Sequence, residues 1–194
     1  AQAAHRAVLR QAAEFAREID PAAPPVVQTV LGGKPATWDP EKSGMAVRLR
    51  AWDAIAREIG VTLAVKAHVG SAVNSPARLL WLLREAAVTN VAVAYDPSHF
   101  ALGGLGVAES LGPLAARTRF VHVKDAAGTP ESPRFLLPGE GTLDFRALFR
   151  ALVAGGYRGP VVVEVSSQIF NRPGYDPIAA AERSFAALAP ALAG

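Results

Sequence analysis

Apolar residues return along this chain with two alternating periods. From Val8 through Ala12, Phe15 and Ile19 they recur every three to four positions, which predicts a helix that buries this face and stops before Pro21. Val26 to Val30 is a short β-branched run, read as a strand that ends at Gly32-Gly33. Met45, Leu49, Trp52, Ile55 and Ile59 form a second helical stripe, closed by Gly60 at a C-cap. Val61 to Val65 is the next strand. Ser75-Pro76 pairs an N-cap with a proline at the first helical position, opening a helix through Leu79, Leu82 and Leu83, and Val91 to Tyr95 follows as a strand. A weaker helix near Val107 to Ala116 leads to a strand at Phe120 to Val123. Asp144 caps a helix over Phe145 to Val153, with Phe145, Leu148, Phe149 and Leu152 on one face, and Val161 to Val165 is the last strand. Asp176-Pro177 opens a final helix expected to bury Ile178, Ala181, Phe185 and Leu188.

Strands alternating with helices predict a parallel sheet covered by helices, because parallel pairing needs a crossover. Side-chain parity favours a barrel over an open doubly wound sheet. Val61, Leu63 and Val65 oppose Thr62, Ala64 and Lys66; Val91, Val93 and Tyr95 oppose Ala92, Ala94 and Asp96; Val161, Val163 and Val165 oppose Val162 and Glu164. One face is a greasy wall for helices, and the other is small or mixed and ends in a polar group. The segments leaving the strand C-termini, 97 to 106, 125 to 143 and 166 to 176, are the long ones, which is where barrel enzymes place their chemistry. Five strands are visible where a complete barrel has eight. The expected fold is therefore an α/β barrel of the (β/α)8 TIM type, N-terminally incomplete, with residues 1–194 forming one partial domain of about five βα units.

Composition narrows the chemistry. The 194 residues are 51% apolar and contain no Cys, so disulfides, thiolate metal sites and cysteine nucleophiles are excluded. The 20 Lys and Arg against 17 Asp and Glu are scattered, which argues against a nucleic-acid partner. No stretch approaches the ~18 apolar residues of a membrane span. A cytoplasmic location is the expectation.

Lys66, Asp96, His122 and Glu164 stand at the ends of four successive strands on the inward parity. Two carboxylates and an imidazole converging at a barrel mouth are suitable ligands for Mn2+, Mg2+, Zn2+ or a similar divalent ion such as Co2+. Such an ion can polarise a carbonyl while a flanking carboxylate moves a carbon-bound proton. His99, three residues after Asp96, is a supporting group or a helix-start residue. Lys124 is a ligand for a substrate phosphate or carboxylate, or a solvated strand end. Glu140, between two glycines, contacts substrate or only shapes its turn. Gly32-Gly33-Lys34 reads as a flexible turn, Trp52 and Trp81 as core, and Phe100, Phe135 and Phe170 as apolar pocket walls.

The motifs Asp96-Pro97-Ser98-His99, Phe120-Val121-His122-Val123-Lys124-Asp125, Pro138-Gly139-Glu140-Gly141-Thr142-Leu143-Asp144-Phe145, Gly156-Tyr157-Arg158-Gly159 and Val163-Glu164 are individually loose. In this order and spacing they resemble the xylose isomerase-like barrels, which include sugar phosphate isomerases and epimerases, ketose 3-epimerases and inosose dehydratases. The resemblance runs from strand four to helix eight of that barrel. It implies that Asp96, His122 and Glu164 are metal ligands, that Glu164 is also one of two acid/base groups, and that His99 sits beside metal or substrate. The family's fourth ligand and second base is a glutamate where this chain has Lys66. That reversal of charge leaves three readings: a weak or absent metal, a Lys66 that turns away, or a Lys66 acting as base or Schiff-base amine. His68, two residues on, is a substitute ligand or a substrate contact.

The expected function is metal-assisted proton abstraction next to a carbonyl of a small sugar or polyol, giving isomerisation, epimerisation or dehydration. A metal-free sugar-binding barrel is the alternative, and a lysine Schiff-base lyase another. The DNA-repair nuclease branch of the same superfamily needs further histidines, and none follows His122. Homo-oligomerisation is an open expectation, and two unpaired sheet edges predict association of the chain.

Overall fold

The computed structural model describes residues 2–23 and 25–192. Five parallel strands form one curled sheet, β1 (Val26–Thr29), β2 (Thr62–Val65), β3 (Val91–Tyr95), β4 (Thr118–Val123) and β7 (Val161–Val163), in the order β1-β2-β3-β4-β7. Sequential strands are neighbours throughout, as in a singly wound barrel. The crossovers carry α2 (Trp38–Ile59), α3 (Pro76–Glu85), the short α4 (Pro97–Leu102) and α5 (Val107–Leu111), and α6 (Phe145–Ala154). The helices α1 (Gln2–Ile19) and α8 (Pro177–Leu192) flank the series. The architecture is five consecutive βα units of a TIM-type barrel, with β1 and β7 as open edges.

Local chemistry sets the element ends. Ser75 accepts a hydrogen bond from the Arg78 N–H at 3.3 Å, and Pro76 takes the first helical position of α3. Asp144 does the same for α6 through the Ala147 N–H at 2.8 Å. Gly60 closes α2 at φ 74°, a left-handed conformation that side chains with a Cβ avoid.

The parity argument holds in the packing. Leu63, Val65, Val91, Val93, Tyr95, Val121 and Val123 join the main core beneath the helices. Ala64, Ala92 and Ala94 form a separate small-residue cluster with Val26 and Phe120 on the concave face. Small side chains there let the sheet curl tightly enough to bring neighbouring strand ends together.

Four expectations need correction. In α1 it is Leu9 and Ala13 that are buried, whereas Val8, Phe15 and Ile19 are exposed. In α8, Ala180, Ser184 and Leu188 face inward, and Ile178, Ala181 and Phe185 face out. Both helices carry two apolar stripes, and the one without the large Phe and Ile side chains is the one that packs inward. The segment 125 to 143 is not a plain loop: β5 (Asp125–Thr129) and β6 (Ser132–Leu136) form an antiparallel hairpin above β4. Within 97 to 106 and 166 to 176 lie α4 and the one-turn α7 (Ser167–Phe170). No helix among the described residues is long and apolar enough to cross a membrane.

Candidate active site

The strand ends converge as the parity requires. Asp96 leaves β3 fully buried and caps α4, its Oδ1 accepting from the Ser98 N–H at 3.1 Å and the Ser98 hydroxyl at 2.6 Å. That leaves Oδ2 to face the concave side, where the Lys124 ammonium pairs with it and Lys66 Nζ lies 3.6 Å away. Glu164 follows β7, held in register by its N–H to the Val123 carbonyl at 3.1 Å. Its carboxylate receives Lys66 Nζ at 2.9 and 3.1 Å and Lys124 Nζ at 2.5 Å. His122 projects from β4 with Nδ1 3.4 Å from Lys66 Nζ and 3.5 Å from a Glu164 oxygen.

Two ammoniums thus face two carboxylates in one buried cluster. Burial pushes both carboxyls up, but the combined pull of Lys124, Lys66 and their hydrogen bonds overrides it, so Asp96 and Glu164 both lie below the usual carboxylate range. Burial also lowers His68, His99 and His122, with the neighbouring lysines adding to the effect and Glu164 opposing it. The imidazoles are neutral near pH 7, and the cluster of Lys66, Lys124, Asp96 and Glu164 sums to zero charge.

The remaining candidates divide. His99 is buried on α4, accepting from the Val69 N–H through Nδ1 at 3.4 Å and placing Nε2 3.4 Å from both Asp96 Oδ2 and Lys124 Nζ. His99 is thus a buried neighbour of the Asp96–Lys124 pair. The His68 ring packs at a tilt against that of His99, centroids 4.1 Å apart, and its Nδ1 accepts from the Gly70 N–H at 3.1 Å. Lys124 is 2% exposed, so it is no solvated strand end, and its charge is committed to Asp96 and Glu164. Glu140 is not brought to the cluster: its carboxylate accepts from the Leu137 N–H at 3.1 Å and closes its own turn. Of the three aromatic candidates, Phe135 lies nearest the cluster, its centroid 5.1 Å from that of His99 and 5.0 Å from the Lys124 ammonium, and it is itself buried with Val69, Leu102 and Ala126. Phe100 packs into the core against Tyr95, and Phe170 is half exposed.

One structural residue is not apparent from the motifs. Asp125 is buried beside Lys124 and accepts from the Gly139 and Leu143 N–H groups at 3.0 and 3.1 Å. A Cβ at Gly141 would collide with this carboxylate, which explains a glycine at that position. The signal in the sequence was an acid directly after a strand-end lysine, followed by a glycine-rich loop offering free N–H groups.

The donor set is one a divalent cation accepts: ligand atoms of Asp96, His122 and Glu164 lie within 4.8 Å of one another. In this arrangement the Lys66 ammonium stands among the same three groups.

A curled parallel α/β sheet with its ionisable residues gathered at the strand C-termini is the arrangement of part of a TIM-type barrel. The family model for xylose isomerase-like TIM barrels matches residues 1–190, and the chain belongs to that family. The inosose dehydratase of Lacticaseibacillus casei is 26% identical over 153 residues, which cover 71% of this chain and 51% of that enzyme. The chain spans about half the length of this curated relative. Among solved structures, the IOLI protein with a bound zinc atom superposes with a TM-score of 0.74 at 20% identity, covering 96% of this chain and 68% of that one. An L-ribulose 3-epimerase does so with a TM-score of 0.72 at 22% identity, covering 97% and 67%.

Proposed function

We propose that this chain carries the catalytic strand ends of a sugar isomerase, epimerase or dehydratase, which moves a proton on the carbon next to a carbonyl of a small sugar or polyol. In that barrel it supplies strands four to eight as one domain. The observation that carries the reading is the asymmetry of the two carboxylates. Asp96 is sealed beneath the cluster, whereas the Glu164 side chain is 32% exposed and faces the concave mouth.

Glu164 is the group in position to take the proton, since it is ionised and open to the substrate side. The Lys124 ammonium lies against the same carboxylate and offers a hydrogen-bond donor to the oxyanion that develops as the proton leaves. Asp96, held by Ser98, pairs with Lys124 on the buried side of the cluster. Phe135 and His68 flank the mouth, giving a partly apolar wall against which a sugar ring can lie. Asp96, His122 and Glu164 would hold the divalent ion, Mn2+ first among the candidates, and the ion would supply polarisation of the substrate carbonyl. An enzyme of small metabolites without cysteine suits the reducing cytoplasm.

The test is wash-in of solvent deuterium at the carbon next to the carbonyl, over a panel of ketoses and inososes. Exchange catalysed by the wild type and reduced roughly a hundred- to ten-thousand-fold by Glu164→Gln is the expected result. Equal exchange in both proteins would remove Glu164 from the role.

A further inference from the structure

Resting on the assignment of Asp96, His122 and Glu164 as a metal triad, we propose that the Lys66 ammonium and a divalent ion compete for a single place in this site. Lys66 Nζ touches all three donor groups at once. It lies 2.9 and 3.1 Å from the two Glu164 oxygens, 3.4 Å from His122 Nδ1 and 3.6 Å from Asp96 Oδ2. The three donors are close enough together to surround one cation. An ion at the usual ~2.0–2.6 Å from these atoms would overlap the ammonium, so the lysine has to leave before an ion enters.

Two further observations fix the competition on Lys66. Its ammonium reaches the site from a strand register and not from a free loop, because the Lys66 N–H donates to the Thr29 carbonyl at 2.9 Å and the side chain is 3% exposed. Lys124 also pairs with Asp96 and Glu164, but its third neighbour is His99 and not His122. Lys124 therefore flanks the triad, while Lys66 fills it. Charge points the same way. The cluster is neutral with Lys66 in place, and a dication added beside both ammoniums would bring a largely buried site to a net charge of two. Removing the ammonium lowers that excess, and a carboxylate in its place turns the repulsion into a fourth ligand.

The measurement is Mn2+ binding by calorimetry to the wild type, Lys66→Met and Lys66→Glu, each first shown to be folded by circular dichroism. Lys66→Met is expected to bind one ion at least about tenfold more tightly than the wild type, and Lys66→Glu more tightly still, with the gain lost on adding Glu164→Gln. Lys66→Met preserves the test if the glutamate variant does not fold. A second readout follows the lysine itself: acetylation of Lys66 by acetic anhydride, mapped by mass spectrometry, should rise when Zn2+ saturates the wild type, because the displaced amine is then exposed. Wild-type affinity equal to that of Lys66→Met, or Lys66 acetylation unchanged by bound Zn2+, overturns the competition and leaves the triad standing. Failure of every variant to bind an ion overturns the triad and the competition with it.

Discussion

At the scale of single residues, the cluster works because each buried polar atom has a defined partner. The Ser98 hydroxyl bond to Asp96 is fully buried, so Ser98→Ala should cost about 1–3 kcal/mol in urea unfolding and shift the Asp96 side chain. Tyr95 is sealed in the core with its hydroxyl 2.7 Å from that of Ser110, and burial pushes its phenol up to about 12 from 10.0. A phenol that holds its proton more tightly when folded contributes stability that is complete below the unfolded value and lost as pH rises through the folded one. Unfolding free energy should therefore fall between pH 10.0 and about 12, and Tyr95→Phe should flatten part of that fall. The four strand-end residues Lys66, Asp96, His122 and Glu164 were legible from parity alone, since a period of two leaves no choice of face. The commitment of Lys124 to the two carboxylates was not legible: it depends on how sharply the sheet curls, which no local pattern encodes. Glu140 was legible only as two alternatives, because a glutamate between glycines looks the same in sequence whether it meets a ligand or its own turn.

At the scale of elements, all five strands were legible within one or two residues at each end, whereas α1 and α2 begin six and seven residues before the stripes at Val8 and Met45 that predict them. The errors came where two stripes competed. In α8 the sequence offers Ile178, Ala181, Phe185 and Leu188 as well as Ala180, Ser184 and Leu188, and hydrophobicity alone favours the first set. The second set is the one that packs, Ala180 against Leu137 and Ile169 and Leu188 into the main core, with α8 lying against α6. The assignment is checkable by calorimetry. Leu188→Ala should cost about 2–5 kcal/mol, while Phe185→Ala, at a position 71% exposed, should change stability by less than about 0.5 kcal/mol. The β5–β6 hairpin escaped notice for a different reason. Asp-Ala-Ala-Gly-Thr and Ser-Pro-Arg-Phe-Leu lack the β-branched alternation of a strand, and their pairing is supported by packing against α4 and α7 and by the Gln168 side chain, which accepts from the Phe135 N–H at 2.8 Å.

At the scale of the whole molecule, the sheet is open along β1 and β7, and exposed apolar side chains flank both edges: Val8, Phe15 and Ile19 on α1, Ile178, Phe185 and Leu192 on α8. Unpaired strand edges beside apolar surface promote association. Sedimentation of this chain should show mass rising with concentration, and replacing Phe15 and Phe185 with serine should reduce that rise. The barrel class was legible from the alternation of elements and the asymmetry of the loops. The curl of the sheet was legible only indirectly, through the alanines on its concave face.

Asp125 ties the two working parts of the mouth into one. It neighbours Lys124 along the backbone and grips the 139–143 segment through two N–H groups, so floor and rim share a single anchor. A designer seeking new substrate preference cannot graft a foreign 137–143 loop without disturbing the cation beneath it. The opposite bank is tied in as well, since the Val69 N–H in the turn that follows β2 donates to His99 Nδ1, whose other nitrogen faces Asp96 and Lys124.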